Sequence, residues 1–323
     1  MSRTVILTEG GRKIGLGHVS RCTALAAVFE ACGGRVEFAL RGDETALTFL
    51  TNQGFYGHFF DWEKNSLQTE VLLKGAKVAV VDSYTAELSF YQWLSTKVSD
   101  LLVLDDFFRL PYPETAFILN PVAEPDGNPR HLFGLEYALL RPAFWEVPKR
   151  KVRERVERVL ITLGGEDLRG LTPLAVQAAR EVFPRAECAV VLGPAFNNQS
   201  LKLNHPQIKI YRSLSAEQMR DLMLISDIAV SAGGQTLFEL ACTGTPMVSV
   251  LTAENQRLNM RKLESLGLVR NAGDYDGPDL FENLIQKLSF WKPWGTRQKH
   301  YRKARRLIDG KGPQRVVEAL WKA

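Results

Sequence analysis

The first regular pattern in the chain is TVILTEGGRKIGLGHVSRC, residues 4–22. The apolar run at 4–8 predicts a buried β-strand, and apolar residues at helical spacing between 25 and 29 predict a helix behind the glycines. A glycine-rich turn that joins a strand to a helix brings backbone N–H groups and the positive helix end to a crevice. The stretch therefore predicts a βα unit of a parallel sheet, with a ligand site where the strand ends.

This alternation continues and then restarts after a proline-rich passage at 111–148 and a charged run at 149–158. The predicted strands are 36–40, 78–81, 101–104, 159–163, 188–192, 208–211, 228–231 and 247–251, and helices are predicted over 46–53, over 86–96 and from about 172. Two such series predict an α/β protein of two doubly wound, Rossmann-like domains, 1–148 and 149–323, which face each other across a cleft. The cleft is the expected ligand site, and an arrangement in which the last helix packs back on the first domain is left open.

Composition excludes several classes of protein. With 45% hydrophobic and 24% charged residues, the 323-residue chain is typical of a globular protein without a membrane span, and its start does not resemble a signal peptide. The four cysteines lack metal-ligand spacing and predict reduced thiols in the cytoplasm. The net charge of +5 comes with no recognised nucleic-acid module. We therefore expect a monomer or weak homo-oligomer that binds no metal, cofactor or nucleic acid and does not insert stably into membranes.

His18 stands at the start of the first predicted helix, directly after Gly17. The partial positive charge of a helix N-terminus disfavours imidazolium, so His18 is expected to stay neutral near pH 7 and to accept a proton, as a general base must. The stretch is not the dinucleotide-binding fingerprint, because a third glycine is missing at the required offset. A structural interpretation is also open, in which the histidine only caps the helix.

A second motif, SAGGQTLFE at 231–239, follows a predicted strand and opens a helix. Its small residues would let a phosphate approach the backbone N–H groups at the helix start. Glu239 lies about one turn into the helix, where it could accept two hydrogen bonds from a ribose diol. The alternative is a simple turn at Gly233-Gly234, with Glu239 as a first-turn partner of the helix dipole.

With ELACTGTP at 239–246 and Asn255-Gln256, this motif resembles the donor site of GT-B-fold enzymes that use UDP-sugars. Adding the motifs at 15–22, 81–84, 105–106, 140–142 and 163–167 makes the chain similar to a narrower family. That family contains the UDP-2,4-diacetamido-2,4,6-trideoxy-β-L-altropyranose hydrolases of pseudaminic acid biosynthesis and the related spore coat polysaccharide proteins. The resemblance covers most of the chain and keeps the order of the motifs, and it implies a GT-B-like fold.

The resemblance also implies a set of site residues. His18 matches the base that activates water, Glu239 the ribose ligand, and the diphosphate loop corresponds to Gly233, Gly234, Gln235 and Thr236. Asn255 and Gln256 match a polar pair beside the phosphates or ribose, and Ser213 with Leu214 the uracil-contacting stretch. The sugar is expected near Asp82, Tyr84 and Asp105, and the remaining binding residues implied are Gly17, Arg21, Arg141 and Gly165. For Arg21 and Arg141, diphosphate binding and ion pairing both stay open.

These residues predict a nucleotide-sugar hydrolase that releases UDP by water attack at the anomeric carbon. UDP is a good leaving group, so one neutral base opposite it suffices for inversion. The main alternative is an inverting GT-B glycosyltransferase, in which the same base would deprotonate an alcohol. A UDP-sugar 2-epimerase would need carboxylates beside the sugar C2, and a non-catalytic sensor would make His18 dispensable.

An apolar segment follows Asp105-Asp106 and contains Phe107, Phe108, Leu110 and Tyr112. For these residues, packing in the core is favoured over capping of the sugar pocket or a loop that faces an acceptor or a membrane.

Overall fold

The structure is a computed structural model that describes residues 3–12, 14–164, 167, 169–193 and 205–322. By its internal contacts the chain divides into two compact units. The first unit comprises residues 1–142 together with 310–323, and the second comprises 143–309. Each unit contains one parallel β-sheet with helices between its strands. No helix within the described ranges is long and apolar enough to cross a membrane.

The sheet of the first unit contains the strands β1 (Arg3–Gly10), β2 (Arg35–Gly42), β3 (Gly57–Phe59), β4 (Val78–Asp82), β5 (Asp100–Leu104), β6 (Phe117–Asn120) and β7 (His131–Phe133). Their order in the sheet is β3-β2-β1-β4-β5-β6-β7, and all the pairings are parallel. Its helices are α1 (Gly17–Ala31), α2 (Glu44–Asn52), α3 (Ser66–Leu73), α4 (Leu88–Ser95) and, at the end of the chain, α11 (Gly312–Lys322). Because β1 lies between β2 and β4, the chain reverses its winding direction beside β1, where ligands of such sheets bind.

The sheet of the second unit contains the strands β8 (Arg158–Thr162), β9 (Glu187–Leu192), β10 (Ile208–Arg212), β11 (Ile228–Ala232), β12 (Met247–Leu251) and β13 (Val269–Asp274). Their order in the sheet is β10-β9-β8-β11-β12-β13, and the sheet is also parallel. Its helices are α5 (Thr172–Val182), α6 (Ala216–Leu224), α7 (Thr236–Thr243), α8 (Arg257–Ser265), α9 (Leu280–Ser289) and α10 (Trp294–Leu307). Here β8 and β11 lie side by side at the change of winding direction, so the start of α7 belongs to the ligand-binding edge of this sheet.

Buried apolar strands make the core of each unit. In the first unit β4 and β5 are buried along their whole length, and in the second unit β11 and β12 are. Such strands are covered by helices on both faces, which is why their sequences are apolar without alternation. Helix α11 packs against α1, and Gly312 is required there because a Cβ would lie 2.1 Å from the carbonyl oxygen of Ala138.

All the strands predicted from the sequence are present, but four others were missed. β3, β6 and β7 have only three or four residues, which is too short for a periodic signal, and the last two fall in the proline-rich passage at 111–148. β13 has the sequence VRNAGD, and its polar residues and glycine gave no strand pattern. Each of these strands is held by its pairing with a neighbour rather than by its own propensity.

Candidate functional site

His18 is the second residue of α1, and its side chain reaches the end of the neighbouring strand β4. Its Nδ1 atom lies 2.6 Å from Oδ1 of Asp82. Only 5% of His18 and none of Asp82 is exposed. The N-cap residue of the helix is Leu16, whose side chain makes no capping bond. The imidazole therefore bonds to a strand 64 residues away rather than capping its own helix.

Arg21 follows His18 by about one helical turn and binds both oxygens of the same carboxylate. Its Nε and Nη2 atoms both donate to Asp82 at 2.6 Å, and Nη1 donates to Asp106 at 2.9 Å. Burial acts to lower the pKa of Arg21, but the charges of Asp106 and Asp82 outweigh it and raise the pKa well above its usual value. Of the two uses that the sequence left open for Arg21, the structure contains the ion pairs.

The charge state of Asp82 follows from these contacts. Burial acts to raise its pKa, but the Arg21 guanidinium and His18 outweigh burial and leave the pKa well below its usual range. Asp82 is therefore an ionised, acceptor-only carboxylate, so Nδ1 of His18 must be the donor. In the neutral imidazole the lone pair is then on Nε2, which makes no hydrogen bond with any residue in the described part of the chain. A histidine oriented in this way by a carboxylate can act as a general base.

Tyr84 completes this group. Its ring lies edge-on to His18 with the ring centroids 4.2 Å apart, and its hydroxyl donates to Asp106 at 2.8 Å. Burial raises the pKa of Tyr84, and the negative charge of Asp106 adds to the shift, so the hydroxyl stays protonated and donates. Asp105 has a different role, since its carboxylate accepts the backbone N–H groups of Phe107 and Arg109.

Two residues of this group were not among the predicted site residues. Asp106 accepts hydrogen bonds from Arg21 and Tyr84, the two residues that also contact the His18–Asp82 pair. The sequence indicates its neighbour Asp105 as a site residue instead. Glu9, which is 2% exposed near the end of β1, accepts the backbone N–H of Tyr84 at 2.8 Å and pairs with Arg41 at 2.5 Å. One sequence signal could have identified both residues. Each is a carboxylate at or just after the carboxyl end of a buried strand, where parallel sheets place their polar site residues.

In the second unit, Gly233 and Gly234 connect β11 to α7, which ends at Gly244 in the left-handed conformation. The Gly233 N–H donates to Oε1 of Gln256 at 3.0 Å, and a Cβ at Gly233 would lie 2.9 Å from Cβ of Gln256. The same Oε1 accepts the backbone N–H of Thr252 at 3.1 Å, so Gln256 ties together the loops after β11 and β12. Glu239 lies on α7 and is 4% exposed.

The other predicted residues are distributed over both units. Ser213, with φ 49°, and Leu214 connect β10 to α6, and Gln235 and Thr236 begin α7. Asn255 is in a short 3-10 turn before α8, Gly17 is the first residue of α1, and Arg141 follows β7 in the first unit. Gly165 lies outside the described residues. The structure thus brings His18, Arg21, Asp82 and Tyr84 into one hydrogen-bonded group, and Gly233 and Gln256 into another.

The fold is that of the GT-B glycosyltransferases. No family model matches the chain. MurG of Acinetobacter baumannii matches with a TM-score of 0.74 and 14% identity, over 100% of both chains. The spinosyn rhamnosyltransferase SpnG in complex with thymidine diphosphate matches with a TM-score of 0.68 and 16% identity, over 98% of this chain and 100% of that one. These likenesses confirm the fold class expected from the sequence.

By sequence, the chain is similar to two proteins whose names refer to pseudaminic acid or polysaccharide biosynthesis, and to one uncharacterized protein. One relative is the pseudaminic acid cytidylyltransferase and UDP-2,4-diacetamido-2,4,6-trideoxy-beta-L-altropyranose hydrolase of Helicobacter pylori, to which the chain is 27% identical over 286 residues. The match covers 86% of this chain and 50% of that protein. The chain is 25% identical to the spore coat polysaccharide biosynthesis protein SpsG of Bacillus subtilis, over 98% of this chain and 96% of that one. An uncharacterized protein of Methanocaldococcus jannaschii is 25% identical over 79% of this chain and 57% of its own length. The chain therefore spans only about half the length of two of these relatives, and the resemblance inferred from the motifs is confirmed.

Proposed function

We propose that this protein is a hydrolase that releases UDP from a UDP-2,4-diacetamido-trideoxyhexose by attack of water at the anomeric carbon. The observation that carries the proposal is the His18–Asp82 pair, because a histidine oriented by a buried carboxylate is suited to take a proton from water. The name of the Helicobacter pylori relative supports the reaction and the substrate class, because it includes a hydrolase of such a sugar nucleotide.

In this reaction Nε2 of His18 accepts the proton as the water oxygen bonds to the anomeric carbon and the bond to UDP breaks. Asp82 stabilises the imidazolium that forms, and Arg21 keeps Asp82 ionised and in position. We therefore assign Asp82 and Arg21 to positioning the base, whereas the sequence suggests a sugar contact for Asp82 and leaves diphosphate binding and ion pairing both open for Arg21. Asp105 shapes its loop in the same indirect way.

We further propose that UDP binds to the second unit. The diphosphate would accept hydrogen bonds from backbone N–H groups at the start of α7, where the partial positive charge of the helix stabilises the leaving group. The Oε1 atom of Gln256 already accepts bonds from the protein, which leaves its amide NH₂ to donate to a phosphate. Glu239 would accept the ribose hydroxyls, and Ser213 with Leu214 would contact the uracil.

The decisive experiment compares the wild type with His18→Asn. We expect kcat to fall about 10²–10⁴-fold, the usual range for a positioned general base. The acidic limb of the pH–rate profile should disappear, while UDP affinity stays unchanged because the nucleotide is assigned to the other unit. Reaction in ¹⁸O-labelled water should label the sugar and leave UDP unlabelled. Label in UDP would mean attack at phosphorus and would refute the mechanism, and near-normal turnover of His18→Asn would remove His18 from the chemistry.

An inverting glycosyltransferase is the second candidate, because the two solved structures named above with the same fold are MurG and the rhamnosyltransferase SpnG. The residues of the His18 group serve both reactions, since a base that deprotonates water can also deprotonate an alcohol. The two functions differ in whether UDP is released without an acceptor. We expect UDP release from the sugar nucleotide alone; release only after addition of a sugar or lipid alcohol would favour the transferase.

A further inference from the structure

The loop after β5 exposes two aromatic side chains. Phe107 is 36% and Phe108 is 59% exposed, although both follow a strand that is buried along its whole length. Phe108 has φ 55°, a conformation that a bulky side chain rarely adopts. The buried Asp105 carboxylate fixes the loop by accepting hydrogen bonds from the backbone N–H groups of Phe107 and Arg109 at 2.9 and 2.8 Å. Strain of this kind persists where surrounding contacts fix the backbone, and it is concentrated at functional sites.

The two rings of this loop point to different neighbours. The Phe107 ring contacts Tyr84 with centroids 5.2 Å apart, and Tyr84 in turn contacts His18 at 4.2 Å. The Phe108 ring instead lies against Phe133, at the end of β7, at 5.5 Å. Phe107 therefore extends an apolar surface that begins at the proposed base, and Phe108 does not.

The carboxylates of Asp82 and Asp106, which lie behind this surface, already accept hydrogen bonds from neighbouring side chains. Both carboxylate oxygens of Asp106 accept from Arg21, and one of them also accepts the Tyr84 hydroxyl. Both oxygens of Asp82 are bonded to Arg21, and one also accepts from His18. Within the described residues, a sugar beside His18 would therefore meet the rings of Tyr84 and Phe107, while the carboxylates of Asp82 and Asp106 behind them already accept hydrogen bonds. Aromatic rings stabilise C–H and methyl groups and offer a hydroxyl little in exchange for its water.

We propose that Tyr84 and Phe107 form an apolar wall that binds a methyl substituent of the sugar, with Phe107 as the specificity-determining residue. This inference rests on the proposed function in one respect, namely that a nucleotide sugar reacts at His18. It adds which residues make the selection: at the wall of Tyr84 and Phe107, a sugar with a deoxy methyl or an acetamido methyl group is favoured over one with a hydroxyl at the same position. A pocket that recognises one methyl group discriminates by about 10–200-fold.

The test measures binding in the His18→Asn variant, in which turnover is expected to be slowed about 10²–10⁴-fold. The result is then independent of whether water or an alcohol is the acceptor. Calorimetry would compare UDP-N-acetylglucosamine with its 6-deoxy analogue, UDP-glucose with UDP-N-acetylglucosamine, and UDP alone. In at least one pair we expect the sugar with the additional methyl group to bind about 10-fold or more tightly. Phe107→Ala should abolish that preference, Phe107→Leu should keep part of it, and neither should change the affinity for UDP.

Phe108→Ala is the matched control, because it removes an equally large ring from the same loop but from the side that faces Phe133. It should leave the preference intact, and thermal melting of each variant would verify folding. The proposal is overturned if Phe107→Ala leaves the preference of both pairs unchanged, if it weakens UDP to the same extent, or if the His18→Asn protein shows no preference. Reduced binding of an apolar acceptor, with unaltered binding of the sugar nucleotides, would also refute it, because the wall would then serve the acceptor. None of these outcomes coincides with failure of the hydrolase proposal, which is decided by UDP release from the wild type.

Discussion

Replacement of Asp82 by asparagine is the most direct test of the network around His18. The carboxylate accepts the Nδ1–H of His18 at 2.6 Å and is completely buried. When Nε2 takes a proton, the imidazolium is stabilised by this charge, and hydrogen bonds to charged groups contribute about 1.5–3 kcal/mol. At one factor of ten per 1.36 kcal/mol, Asp82→Asn should lower kcat by about 10–160-fold. Steady-state release of UDP measures this directly.

The same substitution should also destabilise the first unit. Arg21 donates two hydrogen bonds to Asp82 at 2.6 Å, and among the described residues it would keep only Asp106 as a charged partner. Removal of one member of a buried ion pair costs about 3–5 kcal/mol, and because the asparagine oxygen can still accept one bond we expect about 3 kcal/mol. Urea unfolding followed by fluorescence would measure the loss.

The chain provides a matched control in a second histidine–aspartate pair. Nδ1 of His131 lies 2.6 Å from Asp126, the same distance as in the buried pair, but both side chains are partly exposed. Asp126→Asn should therefore change neither kcat nor the free energy of unfolding appreciably. If Asp82→Asn behaves like this control in both measurements, the assignment of His18 as an oriented base is wrong.

Three further predictions concern the nucleotide, metal ions and pH. Glu239→Ala should weaken UDP binding by about 1–3 kcal/mol, the scale of lost hydrogen bonds to a charged group, and an unchanged calorimetric affinity would sink that assignment. EDTA should leave turnover intact, because no cluster of three or more candidate metal ligands occurs in the described part of the chain; loss that a divalent ion restores would contradict this. Burial lowers the pKa of His300 to about 4, although its Nε2 is 2.9 Å from the carbonyl oxygen of Leu268. The folded state therefore binds fewer protons than the unfolded chain, so the free energy of unfolding should fall by about 3 kcal/mol as the pH drops from about 6.5 to 4. His300→Gln should flatten this decline in urea titrations, and an identical pH dependence in both proteins would rule the explanation out.

Several features of the protein are determined locally and could be predicted from the sequence. Apolar runs bounded by glycine or polar residues identified the central strands of both sheets, because these strands are buried on both faces and need no alternation. The glycine turns before α1 and α7 were found because a strand, a turn and a helix follow one another within a few residues. The end of α7 at Gly244 is also a local feature, since the left-handed conformation at that position favours glycine.

Tertiary structure alone decided the chemistry around His18. The sequence predicted a neutral histidine from the helix dipole, whereas the orientation of the ring comes from Asp82, 64 residues further along the chain. The sequence also indicated Asp105 as a site residue, but Asp105 accepts backbone N–H groups of its own loop. Asp106 is the residue that accepts hydrogen bonds from Arg21 and Tyr84. His300, which the sequence gave no reason to bury, is 95% covered on the inner side of α10. Local patterns specify which elements form and where they end, but the partner of a buried polar group depends on which strand ends and helix starts meet in space, and that is fixed only when the sheet assembles.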